Sequence, residues 1–381
     1  MDVASTAGPQ RVLGGAQEAR YARQTMLPEL GPAGQERLAG ARVLIIGAGG
    51  LGSVTATYLA AAGVGTIGLV DDDVVDVSNL HRQVIHGERD LGRAKVDSAA
   101  DRLAQINPHV RIVRHRERLE AGNARGLVAT YDLVVDGADN FATRYVVGDA
   151  CVLEGRPHVW GSILRFDGQA SVWWPPHGPC YRCVFPAPPP AGSVLSCAEA
   201  GVLGSLCATI GAVCSTEAVK VLVGMGRPLV GRLLVHDALE QTYGELPLRP
   251  NPGCALCGPE ATVREPGEGV LAACAPAPVA AGRRLATADL AALVEARAVT
   301  LIDVREPQEW ATGMIAGAHA IRLGELAEAD LPDGDLVAYC AGGVRSQRAL
   351  AVLDGRGIAA RDLEGGIAAW RAAGGPVVEP S

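Results

Sequence analysis

A glycine-rich hexapeptide, Gly47-Ala48-Gly49-Gly50-Leu51-Gly52, limits the folds that are open to this chain. It follows the short apolar run Arg42–Ile46, which predicts a buried strand, and it precedes Ser53–Ala62, which predicts a helix. Thr66–Val70 predicts a second strand, which ends at Asp71. A strand–helix–strand unit of this kind requires parallel strands, so we predict an α/β fold.

The four glycines of this stretch, Gly47, Gly49, Gly50 and Gly52, are typical of a phosphate-binding loop in a Rossmann-like nucleotide-binding domain. Without side chains the backbone can approach a phosphate, and the helix that follows supplies free N–H groups and a positive dipole end. Asp71 lies about twenty residues further on, where it can accept hydrogen bonds from ribose hydroxyls. Taken alone, these features also fit a dehydrogenase.

The residues beyond Asp71 favour a triphosphate over a nicotinamide. The segment Ser78-Asn79-Leu80-His81-Arg82-Gln83 supplies a cation and two amides, and Lys95 follows it. Asp139-Asn140 comes after the predicted strand Leu133–Asp136, at the sheet edge where ligands bind, and a carboxylate there can hold Mg²⁺. The chain has no GxxxxGK[ST] sequence, so it is not a P-loop enzyme.

Ten cysteines in a chain of this kind point to metal ligands, nucleophiles or buried apolar residues. Two CxxC pairs lie about seventy residues apart in turn-rich segments and can close a tetrahedral zinc site: Cys180, Cys183, Cys254 and Cys257. Four thiolates leave no open position, so the zinc should be structural. Redox pairs or unrelated buried cysteines are the alternative. Four more cysteines are expected to pack as small apolar residues: Cys151, Cys207, Cys214 and Cys274.

Ordered motifs from Arg20 to Gly258 resemble the MoeB/ThiF family, the bacterial relatives of ubiquitin-activating enzymes. The motifs are Arg20–Gln24, the glycine hexapeptide, Asp71–Gln83, the Lys95 segment, Asp136–Asn140 and the two CxxC pairs. The resemblance implies that six residues contact ATP or Mg²⁺: Gly50, Asp71, Asn79, Arg82, Lys95 and Asp139. It also implies a homodimer in which Arg23 reaches the triphosphate of the other subunit.

The reaction implied is attack by the C-terminal glycine carboxylate of a ubiquitin-like carrier on the α-phosphate of ATP, with release of pyrophosphate. Two anions must meet, so charge neutralisation and alignment carry the catalysis. Arg23, Arg82, Lys95 and Mg²⁺ would supply the positive charge.

Cys197 matches the cysteine that can link covalently to the carrier in this family. It would attack the acyl adenylate or form a transient disulfide, and the alternative is a packed loop cysteine.

Cys340 ends the predicted strand Leu336–Cys340, and a loop leads from it to Arg345 and a helix expected to begin near Ser346. Such a loop aims successive N–H groups at the sulfur, and the helix dipole and Arg345 add positive potential, so the loop can hold a persulfide anion. Four residues separate Cys340 from Arg345. Phosphatase loops are one residue longer, so this loop suits a sulfur better than a phosphate.

With Leu301–Pro307 and Leu363–Gly366, the cysteine loop resembles a rhodanese domain that covers about Arg283 to Val378. The resemblance implies that Asp303 and Arg305 brace the loop. Met314-Ile315 stands where rhodanese sequences often have His-Ile, at a position away from the loop.

We therefore predict four segments: a loose tail (1–19), an adenylation domain (20–258), a Pro-, Gly- and Ala-rich linker (259–282) and an α/β rhodanese domain (283–381).

A net charge of −8 gives no reason to expect nucleic acid or an anionic membrane surface as a partner. The first twenty residues carry no apolar run of signal-peptide length, and no uncharged apolar stretch is long enough to span a bilayer. We expect a cytoplasmic protein.

The expected function has two steps. The first domain adenylates a sulfur carrier that ends in Gly-Gly, and a persulfide on Cys340 then gives the carrier thiocarboxylate. The sulfur donor would be a persulfide enzyme or thiosulfate. The domain pair resembles the fusion associated with molybdopterin, although thiamine, cysteine, tRNA and specialised-metabolite pathways use related enzymes. A conjugating activator that forms a thioester at Cys197 and a non-catalytic zinc scaffold remain alternatives.

Overall fold

The computed structural model describes residues 10–175, 177–189, 201–274 and 282–379. The described chain divides into two compact units, one that ends at Cys274 and one formed by residues 282–379.

The helices of the first unit are α1 (Gly15–Thr25), α2 (Gly31–Gly40), α3 (Gly50–Ala62), α4 (Lys95–Ile106), α5 (Ala121–Val128), α6 (Phe141–Leu153), α7 (Tyr181–Val184), α8 (Gly204–Val223) and α9 (Leu271–Cys274). Its strands are β1 (Arg42–Ile46), β2 (Thr66–Val70), β3 (Arg111–His115), β4 (Leu133–Asp136), β5 (His158–Leu164), β6 (Asp167–Trp173), β7 (Arg232–Asp237) and β8 (Thr242–Pro247).

These strands form one sheet in the order β3-β2-β1-β4-β5-β6-β7-β8. The first five are parallel, and β6 to β8 continue the sheet in antiparallel fashion. Strands β1, β2 and β4 are almost entirely buried, as expected for apolar runs that are covered by helices on both faces. The predicted α/β class and the predicted parallel strands are confirmed.

Helix α8 lies in the core of the first unit because it is apolar around most of its circumference. It meets α3 closely at Gly211, where an added Cβ would lie 2.8 Å from the Cβ of Val54. The hydroxyl of Thr55 on α3 donates to the Gly211 carbonyl over 3.1 Å. Among the described helices α8 is the one long and apolar enough to cross a membrane, but 61% of its apolar window is buried inside the protein. This is the pattern of a core helix.

Helix α1 begins at Gly15, inside the segment 1–19 that was predicted to be a loose tail. Its Tyr21 is buried, and the Tyr21 hydroxyl accepts a hydrogen bond of 2.7 Å from the amide of Asn107. Residues 15–19 are therefore helical. The Ala- and Gly-rich composition of this segment gave no sign of a helix, and the buried side chain of Tyr21 anchors α1.

Part of the predicted linker 259–282 packs on the first unit. Arg182 and Asp149 form a buried, two-pronged ion pair with N–O distances of 2.7 and 2.6 Å. Asp149 also accepts from the Gly267 N–H over 2.7 Å, and Arg182 donates to the Glu268 carbonyl over 2.9 Å. Residues up to 274 thus belong to the first unit, while residues 275–281 lie outside the described chain.

The helices of the second unit are α10 (Thr287–Glu295), α11 (Pro307–Trp310), α12 (Val344–Gly355) and α13 (Gly366–Ala372). Its strands are β9 (Arg284–Leu285), β10 (Thr300–Asp303), β11 (Met314–Ile315), β12 (His319–Ala320), β13 (Leu336–Tyr339), β14 (Ala360–Leu363) and β15 (Val377–Val378).

A parallel sheet in the order β12-β10-β13-β14-β9 forms the centre of the second unit. Strands β11 and β15 pair separately and antiparallel. Helix α12 begins at Val344, two residues before the predicted start near Ser346. Gly343 has a φ of +94°, which lets the chain turn from the loop directly into the helix.

Candidate functional site

A cleft of about 240 Å³ opens in the first unit at the carboxyl ends of the central parallel strands. This is the edge of a parallel α/β sheet at which ligands bind. Eight of the residues predicted from the sequence line it: Gly47, Gly49, Gly50, Asp71, Arg82, Lys95, Asp139 and Asn140.

The glycine loop needs its glycines for close backbone packing. Gly47 has a φ of +84°, which favours glycine. A Cβ on Gly52 would lie 1.8 Å from the Gly47 carbonyl oxygen, so only glycine lets α3 start this close to the loop. A Cβ on Gly50 would lie 2.7 Å from the sulfur of Cys207. At its glycine positions the loop therefore presents backbone to the cleft.

Asp71 lies at the end of β2 and holds the backbone around it. Its carboxylate accepts from the Ala48 N–H over 2.8 Å and from the Asp73 N–H over 2.9 Å. Burial raises the pKa of Asp71, while the charge of Lys95 and these two hydrogen bonds oppose the rise. The ammonium group of buried Lys95 lies 2.9 Å from a carboxylate oxygen of Asp73. Positive charge is thus held at the base of the cleft.

Four predicted nucleotide-binding residues lie beside the cleft but are not among its lining residues: Ser78, Asn79, Leu80 and His81. They form a short turn around Asp76, whose carboxylate accepts from the Ser78 N–H over 2.8 Å. Arg82, which does line the cleft, donates to the Ser78 carbonyl over 2.8 Å and lies 2.8 Å from the Nε2 of His81. In this structure the turn therefore supports Arg82.

Asp139 and Asn140 have different local roles after β4. The Asn140 side chain accepts from the Thr143 N–H over 2.9 Å and so caps α6. The Asp139 side chain is exposed at the cleft. Asp136 fixes the loop before it by accepting from the Ala138 N–H over 2.8 Å. Asp139 is available to a cation, as is Asp72, which is also exposed and lines the cleft.

Arg144 is a cleft residue that the sequence analysis missed. It is only 8% exposed, donates to the Ala138 carbonyl over 3.2 Å, and lies 5.5 Å from the Phe141 ring centre and 5.7 Å from that of Trp160. It has no carboxylate partner among the residues that the structure describes. A buried cation without a counter-ion favours an anionic ligand. The sequence signal that could have indicated Arg144 is its position one helical turn after the predicted site residue Asn140.

Gln83, one of the two amides of the segment after Asp71, also lines the cleft, and so does Arg118, which was not predicted. Two other predicted residues are not placed there. Arg23 is exposed on α1, does not line the cleft of its own chain, and lies 3.8 Å from the sulfur of Met26. Cys197 lies outside the described residues.

The four cysteines of the two CxxC pairs come together, with all sulfurs within 4.8 Å of one another. Sulfur separations are 3.5 Å for Cys180 and Cys254, 3.4 Å for Cys183 and Cys257, and 3.7 Å for Cys180 and Cys183. A tetrahedron with metal–sulfur bonds of about 2.3 Å has edges of roughly 3.8 Å, so the set fits a four-thiolate metal site. The hydrogen bond from the Cys180 thiol lowers the pKa of Cys183 to about 5, whereas burial raises that of Cys257 to about 12.

Cys340 follows β13 in the second unit and is 1% exposed. The Gly343 N–H donates to its sulfur over 3.1 Å, and the Cys340 thiol lies 3.8 Å from the hydroxyl oxygen of Ser346. Ser346 in turn donates to the Gly343 carbonyl over 3.0 Å. The loop therefore places one backbone N–H and one hydroxyl at the sulfur near the start of α12, where the sequence predicted successive N–H groups.

The charge of Arg345 is paired with a carboxylate on α11. Its guanidinium forms two hydrogen bonds of 2.6 and 2.7 Å with the carboxylate of Glu309. Burial raises the pKa of Glu309, but the bonds and charge of Arg345, the hydrogen bond from the Glu306 N–H and the charge of Arg305 together leave that pKa below its usual value. The ion pair ties the end of the cysteine loop to α11.

Asp303 and Arg305 form a buried ion pair with an N–O distance of 2.6 Å. Arg305 also donates to the Glu309 carbonyl over 3.0 Å and to the Gly313 carbonyl over 2.8 Å. Because Glu309 holds Arg345, the pair at the end of β10 supports the cysteine loop through one intermediate residue. This is the contact chain by which the predicted bracing would act.

Each of the two units matches a known protein family. Residues 21–256 match the ThiF family, and residues 286–373 match the rhodanese-like domain. A "Probable adenylyltransferase/sulfurtransferase MoeZ" from Mycobacterium tuberculosis is 49% identical over 373 residues, which cover 95% of each chain. A "Sulfur carrier protein adenylyltransferase" from Thermus thermophilus is 53% identical over 251 residues, which cover 65% of this chain and 93% of the relative.

A solved structure of Escherichia coli MccB superposes on this chain with a TM-score of 0.57 at 22% identity, and covers 63% of this chain and 74% of the other. At that identity the likeness shows the fold alone. The family match extends over more than half of the chain, and the MoeZ likeness extends across both units. The chain therefore belongs to the ThiF family and carries a rhodanese-like domain after its ThiF domain.

Proposed function

We propose that this protein activates the C-terminus of a ubiquitin-like sulfur carrier with ATP and then converts it to a thiocarboxylate with sulfur from Cys340. The observation that carries the proposal is the combination in one chain of a cation-lined nucleotide cleft and a loop that donates an N–H to a cysteine sulfur. The relatives named adenylyltransferase/sulfurtransferase support the same pairing of activities.

The cleft residues suit ATP and Mg²⁺. We assign the ribose to Asp71, the phosphates to the glycine loop, Arg82 and Lys95, and the metal ion to Asp139. An exposed carboxylate that lines the cleft is a ligand that Mg²⁺ prefers. When bound, Mg²⁺ would neutralise phosphate charge.

In the first step a carboxylate oxygen of the carrier's terminal glycine forms a bond to the α-phosphorus of ATP. The bond from that phosphorus to the bridging oxygen breaks, and pyrophosphate leaves. Lys95 and Arg82 hold the anions together, and the buried guanidinium of Arg144 adds positive charge at the same cleft. Alignment and charge neutralisation are the effects required of the protein.

In the second step the terminal sulfur of a Cys340 persulfide attacks the acyl carbon and AMP leaves, which gives an acyl disulfide. A thiol must then break the sulfur–sulfur bond to free the thiocarboxylate. We assign this role to Cys197, which would end in a disulfide with Cys340 that a cellular thiol reduces. The persulfide itself would come from a persulfide enzyme or from thiosulfate.

The experiment that tests this function is ATP–pyrophosphate exchange with a purified carrier that ends in Gly-Gly. Carrier-dependent exchange supports adenylation, and a carrier without its last glycine is the control. Absence of exchange with every Gly-Gly carrier tried would contradict the proposal and favour a binding scaffold. A stable ester between the carrier and a Cys197→Ser variant would instead favour a thioester-forming activator.

We propose that the pathway is molybdopterin synthesis and that the reaction takes place in the cytoplasm. The joined ThiF and rhodanese-like domains support the pathway, since this fusion resembles the one associated with molybdopterin. Adding carriers from different pathways to the exchange assay would separate this assignment from thiamine, cysteine or tRNA sulfur transfer.

The four-cysteine cluster is proposed to hold structural zinc. Replacing Cys254 by serine is expected to lower bound zinc from about one ion per chain to near none and to destabilise the first unit by several kcal/mol, because zinc binding is coupled to folding. Metal analysis and thermal unfolding measure both effects. Cys274→Ser, which changes a half-buried cysteine outside the cluster, is the matched control. Full zinc content in Cys254→Ser would contradict the assignment.

Arg23 is proposed to act in the cleft of a second subunit, since it is exposed and does not line its own cleft. Arg23→Ala and Asp139→Asn are each expected to lose exchange activity. Mixed and allowed to re-equilibrate, they would form dimers with one intact site, which restores roughly a quarter of wild-type activity. Activity measured before and after subunit exchange tests this. Mass measurement confirms that mixed dimers have formed. If exchange activity does not recover in them, Arg23 acts in the cleft of its own chain or does not act in a cleft at all.

A further inference from the structure

His86 is a buried histidine that borders the glycine loop but does not line the nucleotide cleft. Its Nε2 lies 3.1 Å from the carbonyl oxygen of Ala48, and its Nδ1 lies 2.8 Å from the hydroxyl oxygen of Ser98. A carbonyl oxygen can only accept, so Nε2 carries the proton and Nδ1 accepts from Ser98. Burial lowers the pKa of His86, which favours the neutral ring.

Hydrogen bonds therefore fix both backbone polar groups of Ala48, its N–H and its carbonyl. Its N–H donates to Asp71 over 2.8 Å, while its carbonyl accepts from His86 and, over a longer 3.4 Å, from the hydroxyl of Ser53. In a planar trans peptide the carbonyl and the next N–H point in opposite directions. Holding the Ala48 carbonyl toward the protein interior thus turns the Gly49 N–H away from it.

The Gly49 N–H is the group that this arrangement leaves available. Gly49 is partly exposed, lines the cleft and precedes the first residue of α3. Within the described chain its N–H donates no hydrogen bond. An N–H at the start of a helix is suited to an anionic phosphate.

We propose that His86 is a positioning residue for ATP, which acts by fixing the Ala48–Gly49 peptide so that the Gly49 N–H faces a phosphate. The inference rests on the proposed adenylation but concerns ground-state binding of the nucleotide. It predicts that His86 affects KM for ATP and leaves kcat nearly unchanged, because it holds a binding group and touches no reacting atom.

The test is ATP–pyrophosphate exchange with the full chain at saturating carrier. His86→Leu is expected to raise KM for ATP about fivefold, the size of one lost hydrogen bond, with kcat changed by less than about twofold. His86→Gln, whose amide can donate to the same carbonyl, is expected to recover most of the affinity. His236→Leu is the matched control, since buried His236 also bonds a carbonyl, that of Thr242, over 3.0 Å and lies outside the cleft.

An unchanged KM in His86→Leu, an equal rise in His236→Leu, or no recovery in His86→Gln would overturn the proposal. Carrier-dependent exchange by the wild-type chain tests adenylation itself, and that result does not depend on the results for the His86 variants. If His86→Leu does not fold, Ser98→Ala replaces it. That variant frees the imidazole to rotate and is expected to raise KM for ATP about threefold. An unchanged KM there would equally overturn the proposal.

Discussion

Replacing Cys340 by alanine is expected to abolish thiocarboxylate formation while leaving ATP–pyrophosphate exchange within about twofold of wild type. The loss should exceed about 10³-fold, because the covalent sulfur carrier is removed altogether. Exchange should survive because every described residue that lines the nucleotide cleft belongs to the first unit. Carrier mass measured after incubation with ATP and sulfur donor reports the first effect, and isotope exchange reports the second.

Two further variants make this prediction specific to the Cys340 sulfur. Cys340→Ser keeps the shape of the loop and its hydrogen bond from Gly343, yet it cannot form a persulfide. It should fail like the alanine variant. Cys274→Ser alters a half-buried cysteine outside the loop and should behave as wild type. Thiocarboxylate formation by Cys340→Ser would mean that sulfur reaches the adenylate without this cysteine.

Asp139→Asn is expected to reduce ATP–pyrophosphate exchange by about 10²–10³-fold at saturating ATP. The substitution removes the charge proposed to hold Mg²⁺, and with it the neutralisation of phosphate charge in the transition state. The amide keeps the shape of the side chain, and Asn140 should still cap α6. Initial rates across a range of Mg²⁺ concentrations measure the effect.

The control for this prediction is Asp167→Asn, which changes an exposed carboxylate at the start of β6, outside the cleft. It should leave the exchange rate unchanged. Circular dichroism of both variants shows whether the fold is kept. A folded Asp139→Asn enzyme with wild-type exchange would remove Asp139 from the proposed metal site.

The central fold follows from local sequence signals. Arg42–Ile46, Thr66–Val70 and Leu133–Asp136 lie where the sequence predicted strands, because short β-branched apolar runs suit a sheet buried on both faces. The glycine loop was predictable because Gly47 and Gly52 meet strict steric demands. Helices α4 and α6 were not predicted, although the residues beside them were assigned to the nucleotide site.

The parts of the site that the sequence did not reveal depend on tertiary contacts. Arg144 on α6 owes its burial to the rings of Phe141 and Trp160, and their approach depends on how the sheet is covered. The bond between Arg345 and Glu309 joins residues 36 positions apart, so no local pattern indicates it. The four cysteines were predictable as a set because metal geometry connects the two distant pairs.

The most direct test of the central claim is the intact mass of a Gly-Gly carrier after incubation with the wild-type chain, ATP, Mg²⁺ and a sulfur donor. We expect a mass gain equal to the replacement of one oxygen by sulfur, which appears only when ATP and the sulfur donor are both present. An unchanged carrier mass, in a reaction where pyrophosphate exchange and Cys340 persulfide are both detected, would contradict the claim that this chain joins the two steps.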